Sequence, residues 1–271
     1  MAEVTNVLDE IVAHKRKEVA EKKELFPTKL LEQSLFYAGS PVSLKRYLQR
    51  EDRVGIIAEI KRKSPSKGAI NQHVSVEKTS IGYMQAGASG LSILTDSKYF
   101  GGKNEDLQTA RKFNFCPILR KDFILEEYQI VEAKSIGADV ILLIAACLSS
   151  QELKGLSDFA HTLGLEVLLE VHNEEELEKS LEATPDMIGV NNRDLQTFTT
   201  SVETSLELAS KIPDQFVKVS ESGISEPEVV AELMRHGYEG FLIGEYFMQH
   251  GRPSTACSDF VRDVKALIEK K

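Results

Sequence analysis

Cysteine is scarce in this 271-residue chain: Cys116, Cys147 and Cys257 stand apart, in or near apolar surroundings. An odd number without CxxC spacing excludes a disulfide framework and fits reduced structural thiols in a cytoplasmic protein. Basic blocks are missing as well. Acidic residues (42) outnumber basic ones (33), for a net charge of −9, so no nucleic-acid partner is expected. No apolar run reaches membrane-spanning length, and the opening MAEVTNVLDEIVAHKRKEV lacks a signal-peptide core, so no membrane partner is expected either. His73, His161, His172, His236 and His250 show no ligand spacing, and no metal is expected; His172, just past Glu170, is read as lying on the opposite face. A Walker loop and a nucleophile elbow are absent, and no cofactor is expected.

What the chain does have is alternation. Short apolar runs occur near 54–60, 90–95, 116–120, 139–144, 166–171, 186–191, 216–220 and 240–244. Helix-like segments follow at roughly 75–86, 104–112, 126–136, 150–163, 174–183, 203–211, 226–236 and 255–269. Gly87, Gly137, Gly164 and Gly237 stand where four of these helices stop, the position glycine fills cheaply in left-handed conformation. Ser149 with Glu152, Asn173 with Glu176, and Ser225 with Glu228 read as capping pairs at helix starts. Eight strand–helix units in unbroken order predict an α/β protein, a (β/α)8 TIM barrel. A doubly wound open sheet is the alternative, but the glycine-rich nucleotide fingerprint after the first strand is missing. Residues 5–24, 29–37 and 43–49 read as helices ahead of the first strand. Residues 1–271 are therefore expected to form a single barrel domain, with 1–50 as an N-terminal helical extension covering the barrel near the loop of Ser64 to Gly68.

In such barrels the active site lies at the C-terminal ends of the strands. The first run ends in Glu59 and Lys61, the third in Lys121, Asp122 and Phe123, and the fifth in Glu170. The sixth ends in Asn191-Asn192-Arg193, the seventh in Glu221-Ser222-Gly223 and the eighth in Gly244-Glu245, while the second and fourth end uncharged, in Thr95 and Ile144-Ala145. Strand side chains alternate, so Ile57, Glu59 and Lys61 share a face, as do Leu119, Lys121 and Phe123, Leu168 and Glu170, and Gly189, Asn191 and Arg193. Charges on a buried face are costly unless paired or used. Any single strand-end charge is ordinarily structural, and Arg120, Asp122 and Asp194 are read as outward or loop-fixing. Convergence of five strands on one polar ring points instead to acid–base chemistry. The seventh strand leaves either Lys218 or Glu221 facing the mouth.

Phosphate is the second signal. Gly223 and Gly244 end the seventh and eighth strands, where barrels commonly bind phosphate with bare backbone N–H groups. Either glycine alone reads equally well as a tight turn; the two together favour a phosphate site. Glu245 sits badly beside a dianion, and its side chain is expected to turn outward.

The stretches EIKRKSPSKG, SILTDSKYFGG, ILRKDFI, LLEVHN, IGVNNRDL, VSESGIS and FLIGE occur in the order found in indole-3-glycerol-phosphate synthases, and the chain resembles that family over nearly its whole length. By position the resemblance implies Lys121 as general acid and Glu170 as general base, assisted by Glu59, Lys61, Asn191 and Arg193. It implies phosphate binding by Ser222, Gly223, Gly244 and Glu245. Substrate contacts fall to Ser64, Pro65, Phe100, Phe123, Leu142, Glu221 and Leu242, with Pro65, Phe100, Phe123 and Leu142 forming the wall for an anthranilate ring. The implied reaction converts 1-(2-carboxyphenylamino)-1-deoxyribulose 5-phosphate to indole-3-glycerol phosphate, carbon dioxide and water. The partner is thus a phosphorylated small molecule, and a monomer is expected. Two other readings are a ribulose-phosphate barrel such as phosphoribosylanthranilate isomerase and a non-catalytic phosphate-binding barrel. The first gives no reason for the extension or for two lysines at the mouth, and loss of Lys121 or Glu170 would have suggested the second.

Overall fold

The computed structural model describes residues 7–194 and 197–269. Eight parallel strands close in the order β1 (Ile56–Ile60), β8 (Tyr238–Ile243), β7 (Val217–Glu221), β6 (Met187–Asn191), β5 (Glu166–Val171), β4 (Val140–Ile144), β3 (Ile118–Lys121) and β2 (Gly90–Leu94). The predicted (β/α)8 barrel is the observed one. Strand alternation builds two apolar layers. Ile57, Leu119, Leu142, Leu168, Val217 and Val219 fill the barrel interior, while Ile56, Ala58, Ile118 and Leu169 pack outward against the helices. The register sets Glu59 opposite Ser92, Glu170 opposite Gly189 and Asn191 opposite Glu221, so the polar strand ends form one ring at one mouth.

The helices outside follow from local chemistry. All four helix-ending glycines have positive φ, between 76° and 100°. Ser149 and Glu152 make a reciprocal capping box on the helix Ser150–Thr162, and Asn173 caps the helix Glu174–Ser180 through the Glu176 N–H. Ser225 does not cap its helix: the helix Pro227–Arg235 starts one residue later, with Glu226 at the N-cap and Pro227 supplying a preset φ at the first position. The loop after β1 is also more ordered than expected, since Lys63–Ser64 and Gly68–Ala69 form a two-residue antiparallel ladder.

The extension wraps the barrel from one end to the other. Residues 5 and 6 of its expected first helix lie outside the described residues; α1 covers Val7–Leu25. The expected helix at 29–37 is only α2 (Thr28–Leu31), followed by turns, and α3 spans Leu44–Leu48 with Ser43 as its cap. Leu44 and Leu48 insert among the interior residues and close the N-terminal end of the barrel; full burial of each contributes about 1.5–3 kcal/mol. Val42 N–H donates to Asp139 at 2.8 Å and Lys45 N–H to Glu166 at 3.0 Å, pinning α3 to the strand starts.

At the opposite end α1 is held chiefly by the loops after β2 and β3 rather than by Ser64 to Gly68. The Lys15 ammonium, 1% exposed, lies 2.8 Å from Asp96, 3.0 Å from Asp122 and 3.1 Å from Glu18. Asp96 in turn accepts from the Tyr99 and Phe100 N–H groups, and Asp122 from Phe123 N–H and Thr95. Burial opposes the Asp122 charge, but Lys15 and Arg120 outweigh it and hold the carboxyl at about 2. Lys15→Met leaves two buried carboxylates short of a cation and is expected to cost about 3–5 kcal/mol of unfolding free energy, measured by urea denaturation. Because the folded Asp122 pKa is depressed, its contribution is present above pH ~4 and disappears as pH falls toward 2. Wild type should therefore weaken more than the variant over that window; parallel acid curves would remove this role for Lys15.

Candidate active site

Every site residue singled out in the sequence lines one cavity of about 700 Å³ at the C-terminal mouth of the barrel. The apolar side is built from Pro65, Phe100, Phe123, Leu142 and Leu242, with the Phe100 and Phe123 rings 6.1 Å apart. Val7, Leu8 and Ile11 of α1 join the lining. Their apolar stripe was visible in the sequence, but their place at this cavity depends on the Lys15 anchor.

At the centre, the Lys121 ammonium donates to Glu170 and to Glu221, each at 2.7 Å. Asn191 donates to the other Glu170 oxygen at 3.0 Å. A second pair, Lys61 and Glu59, meets at 2.8 Å, with Ser92 on the far Glu59 oxygen at 3.3 Å. Burial opposes charge on Lys121, yet the carboxylates around it raise its pKa well above the ordinary lysine value. Burial also opposes charge on Glu170, but Lys121, His172 and Asn191 hold it below the usual carboxylate range. Glu221 goes the other way: burial dominates and Glu170 and Glu59 repel it, so its pKa is raised, and one of its oxygens is buried without a partner among the described residues. Two neighbouring carboxyls with opposite shifts are an arrangement suited to moving protons.

The seventh strand resolves in favour of Glu221. Lys218 points outward and donates to the Ala209 carbonyl at 2.8 Å. His172 is a correction. Two residues beyond Glu170, it shares that residue's side of the strand, and its Nε2 lies 3.4 Å from Glu170 while Nδ1 meets Glu176 at 3.0 Å. Arg120 and Asp122 point outward, as read from the sequence; the structure buries both, with Arg120 bonded to Thr95, Glu132 and the Gln129 carbonyl.

Two glycines make room for these carboxylates. A Cβ on Gly244 would sit 2.3 Å from Glu59 Oε1, and one on Gly189 would sit 2.3 Å from Glu221 Oε1. Gly189 was read only as marking an inward face, because sequence cannot show which side chain crosses over it. At the β7 end, Ser222 and Gly223 both adopt positive φ, 68° and 74°, turning the backbone at the cavity edge. Glu245 does not turn away: it stays on the rim, 3.1 Å from Arg193 and 3.5 Å from Lys67.

A closed parallel barrel with ammonium–carboxylate pairs inside one mouth, an aromatic wall and backbone turns at β7 and β8 defines a barrel enzyme of the proton-transferring class. The chain belongs to the indole-3-glycerol-phosphate synthase family: the family model described as indole-3-glycerol phosphate synthase matches residues 8–260. It is 48% identical over 260 residues to the indole-3-glycerol phosphate synthase of Bacteroides thetaiotaomicron, covering 96% of this chain and 99% of that protein. It is 44% identical to the enzyme of the same name from Caldanaerobacter subterraneus subsp. tengcongensis, at 96% and 99% coverage. Among solved structures, 3-hexulose-6-phosphate synthase from Salmonella typhimurium shares the fold at TM-score 0.62 and 11% identity, over 78% of this chain and 99% of that one. A tryptophan synthase structure from Pyrococcus furiosus does so at TM-score 0.57 and 14% identity, over 79% and 99%.

Proposed function

We propose that this protein closes the indole ring of indole-3-glycerol phosphate from 1-(2-carboxyphenylamino)-1-deoxyribulose 5-phosphate, releasing carbon dioxide and water. The observation that carries this reading is the Lys121 ammonium held 2.7 Å from both Glu170 and Glu221 beside an aromatic wall. Family membership of the chain supports the substrate. Lys121, held charged by its carboxylates, passes a proton to the ketone oxygen as the aryl carbon bearing the carboxylate attacks that carbonyl carbon, and regains one from solvent. Loss of carbon dioxide returns the bonding pair to the ring. The new hydroxyl then leaves as water while Glu170, ionised by its neighbours, takes the proton from the adjacent carbon. Two protons are taken up and one is released, which balances the carboxylate charge lost.

Glu59, Lys61, Asn191 and Arg193 orient and polarise the substrate. The turns at Ser222, Gly223, Gly244 and Glu245 receive its phosphate, and Ser64, Pro65, Phe100, Phe123, Leu142, Glu221 and Leu242 surround the rest. Apolar walls exclude water and strengthen each charged contact. The reading also takes residues 1–271 as one domain with 1–50 as its extension, acting as a monomer in the cytoplasm. Among the described residues no helix is long and apolar enough to cross a membrane.

Incubating the protein with the carboxyphenylamino-deoxyribulose phosphate should produce indole fluorescence, with inorganic phosphate acting as a competitive inhibitor. The dephosphorylated substrate should show a KM raised at least about tenfold. No fluorescence with authentic substrate removes the proposed activity, and equal turnover of the dephosphorylated compound removes the phosphate site.

A further inference from the structure

One carboxylate joins three loops across the cavity mouth. Glu245, the first residue of the short helix Glu245–Met248 after β8, lies with Oε2 3.1 Å from Arg193 Nη2 and Oε1 3.5 Å from Lys67 Nζ. Arg193 comes from the loop after β6 and Lys67 from the loop after β1. Arg193 also donates through Nη1 to Ser66 on that first loop, while its Nε is buried without a partner among the described residues. An arginine and a lysine converging on a carboxylate present the same donors that bind the oxyanions of a substrate.

We propose that Glu245 is an internal counter-ion: its carboxylate takes the oxyanion place at Arg193 and Lys67 and gives it up when an anionic group of the substrate arrives. This rests on the proposed function only in taking the cavity to receive a substrate with two anionic groups, a phosphate and an aryl carboxylate. Solvation favours the exchange. The Glu245 side chain is 30% exposed and that of Lys67 58%, so this pair is partly wet, unlike Lys61 with Glu59, which are 16% and 4% exposed. Wet ion pairs are individually weak and can be replaced at low cost. The unpartnered Arg193 Nε–H gives an arriving oxyanion a contact that Glu245 leaves unmade, and an unmet buried donor is itself destabilising. Seated there, the carboxylate keeps two cations paired and ties the three loops together. The consequence is competition, because any anion binding there must first displace Glu245 and its apparent affinity is lowered accordingly.

Competition and support have opposite signs. If Glu245 competes, removing its charge tightens anion binding; if it merely orients Arg193, removing it weakens binding. Glu245→Gln preserves side-chain size on a partly exposed rim. Wild type and variant would be titrated calorimetrically with inorganic phosphate and, separately, with anthranilate. At least one of the two should bind the variant about fivefold tighter or more, and the one that gains identifies the group received at Arg193. KM for the phosphorylated substrate should fall with it, while kcat does not rise. Equal or weaker binding of both anions by the variant overturns the proposal, as does failure of both to bind either protein. Wild-type turnover, measured alongside, separates the two readings: an inactive wild type ends the proposed function, whereas the sign of the anion response decides the role of Glu245.

Discussion

Lys121→Met is expected to bind substrate yet turn it over about 10²-fold or more slowly than wild type. Methionine keeps the length of the side chain and removes the proton donor. In the native site the ammonium lies between two carboxylates at 2.7 Å each, and their field raises its pKa above the ordinary lysine value. Any alkaline limb of kcat/KM near or below pH ~10 therefore belongs to another group. If Lys121 drives ring closure, the variant should release no carbon dioxide, a readout independent of fluorescence. Breaking a buried ion pair also costs stability, of order 3–5 kcal/mol. Activity must accordingly be compared at a temperature where the variant's circular dichroism matches wild type. Lys121→Arg provides the control: it restores the charge and the fold while placing the donor differently. Carbon dioxide release at the wild-type rate in a folded Lys121→Met protein would refute this role.

Glu170→Gln should lower kcat by about 10²-fold while changing KM much less, since the amide keeps the shape and loses the base. Glu170 is held below the usual carboxylate range by Lys121, His172 and Asn191 against the effect of burial. The sign follows: the free enzyme should lose this base only as pH falls below the ordinary carboxylate range, under about pH 4. An acid limb closer to neutrality in wild type points to Glu221, whose pKa burial raises, and that limb should persist in Glu170→Gln. Rapid quench of the variant separates two roles. Accumulation of a cyclised intermediate places Glu170 after closure, whereas finding only unreacted substrate moves it to the first step. Near wild-type kcat in both variants would pass the chemistry to Lys61 and Glu59, which meet at 2.8 Å in the same cavity.

The catalytic candidates were legible because a closed parallel barrel converts strand parity into geometry. Once Leu119 and Leu168 face inward, Lys121 and Glu170 two residues on must do so at the mouth, and closure of the barrel brings them within 2.7 Å of each other. The Lys218 or Glu221 choice stayed open because an apolar run with a charge near each end has two possible phases until its neighbours are packed. His172 lies just past the end of β5, and because two positions along a strand restore the same face its ring packs 3.4 Å from Glu170 rather than opposite it.

Local chemistry in the chain determined the alternation of strands and helices, the glycine stops at Gly87, Gly137, Gly164 and Gly237, and which residues could face the mouth, because each depends on neighbours a few positions away. Tertiary structure decided what no local pattern encodes. Lys15 meets Asp96 and Asp122 from 81 and 107 positions away; Gly244 and Gly189 are small so that Glu59 and Glu221 can cross them; Glu245 turns to Arg193 and Lys67 on the partly wet rim. Each of these is a long-range charge or volume balance. A buried or crowded side chain takes whichever partner lowers its desolvation or steric cost, and which partner is within reach is set only when the barrel closes.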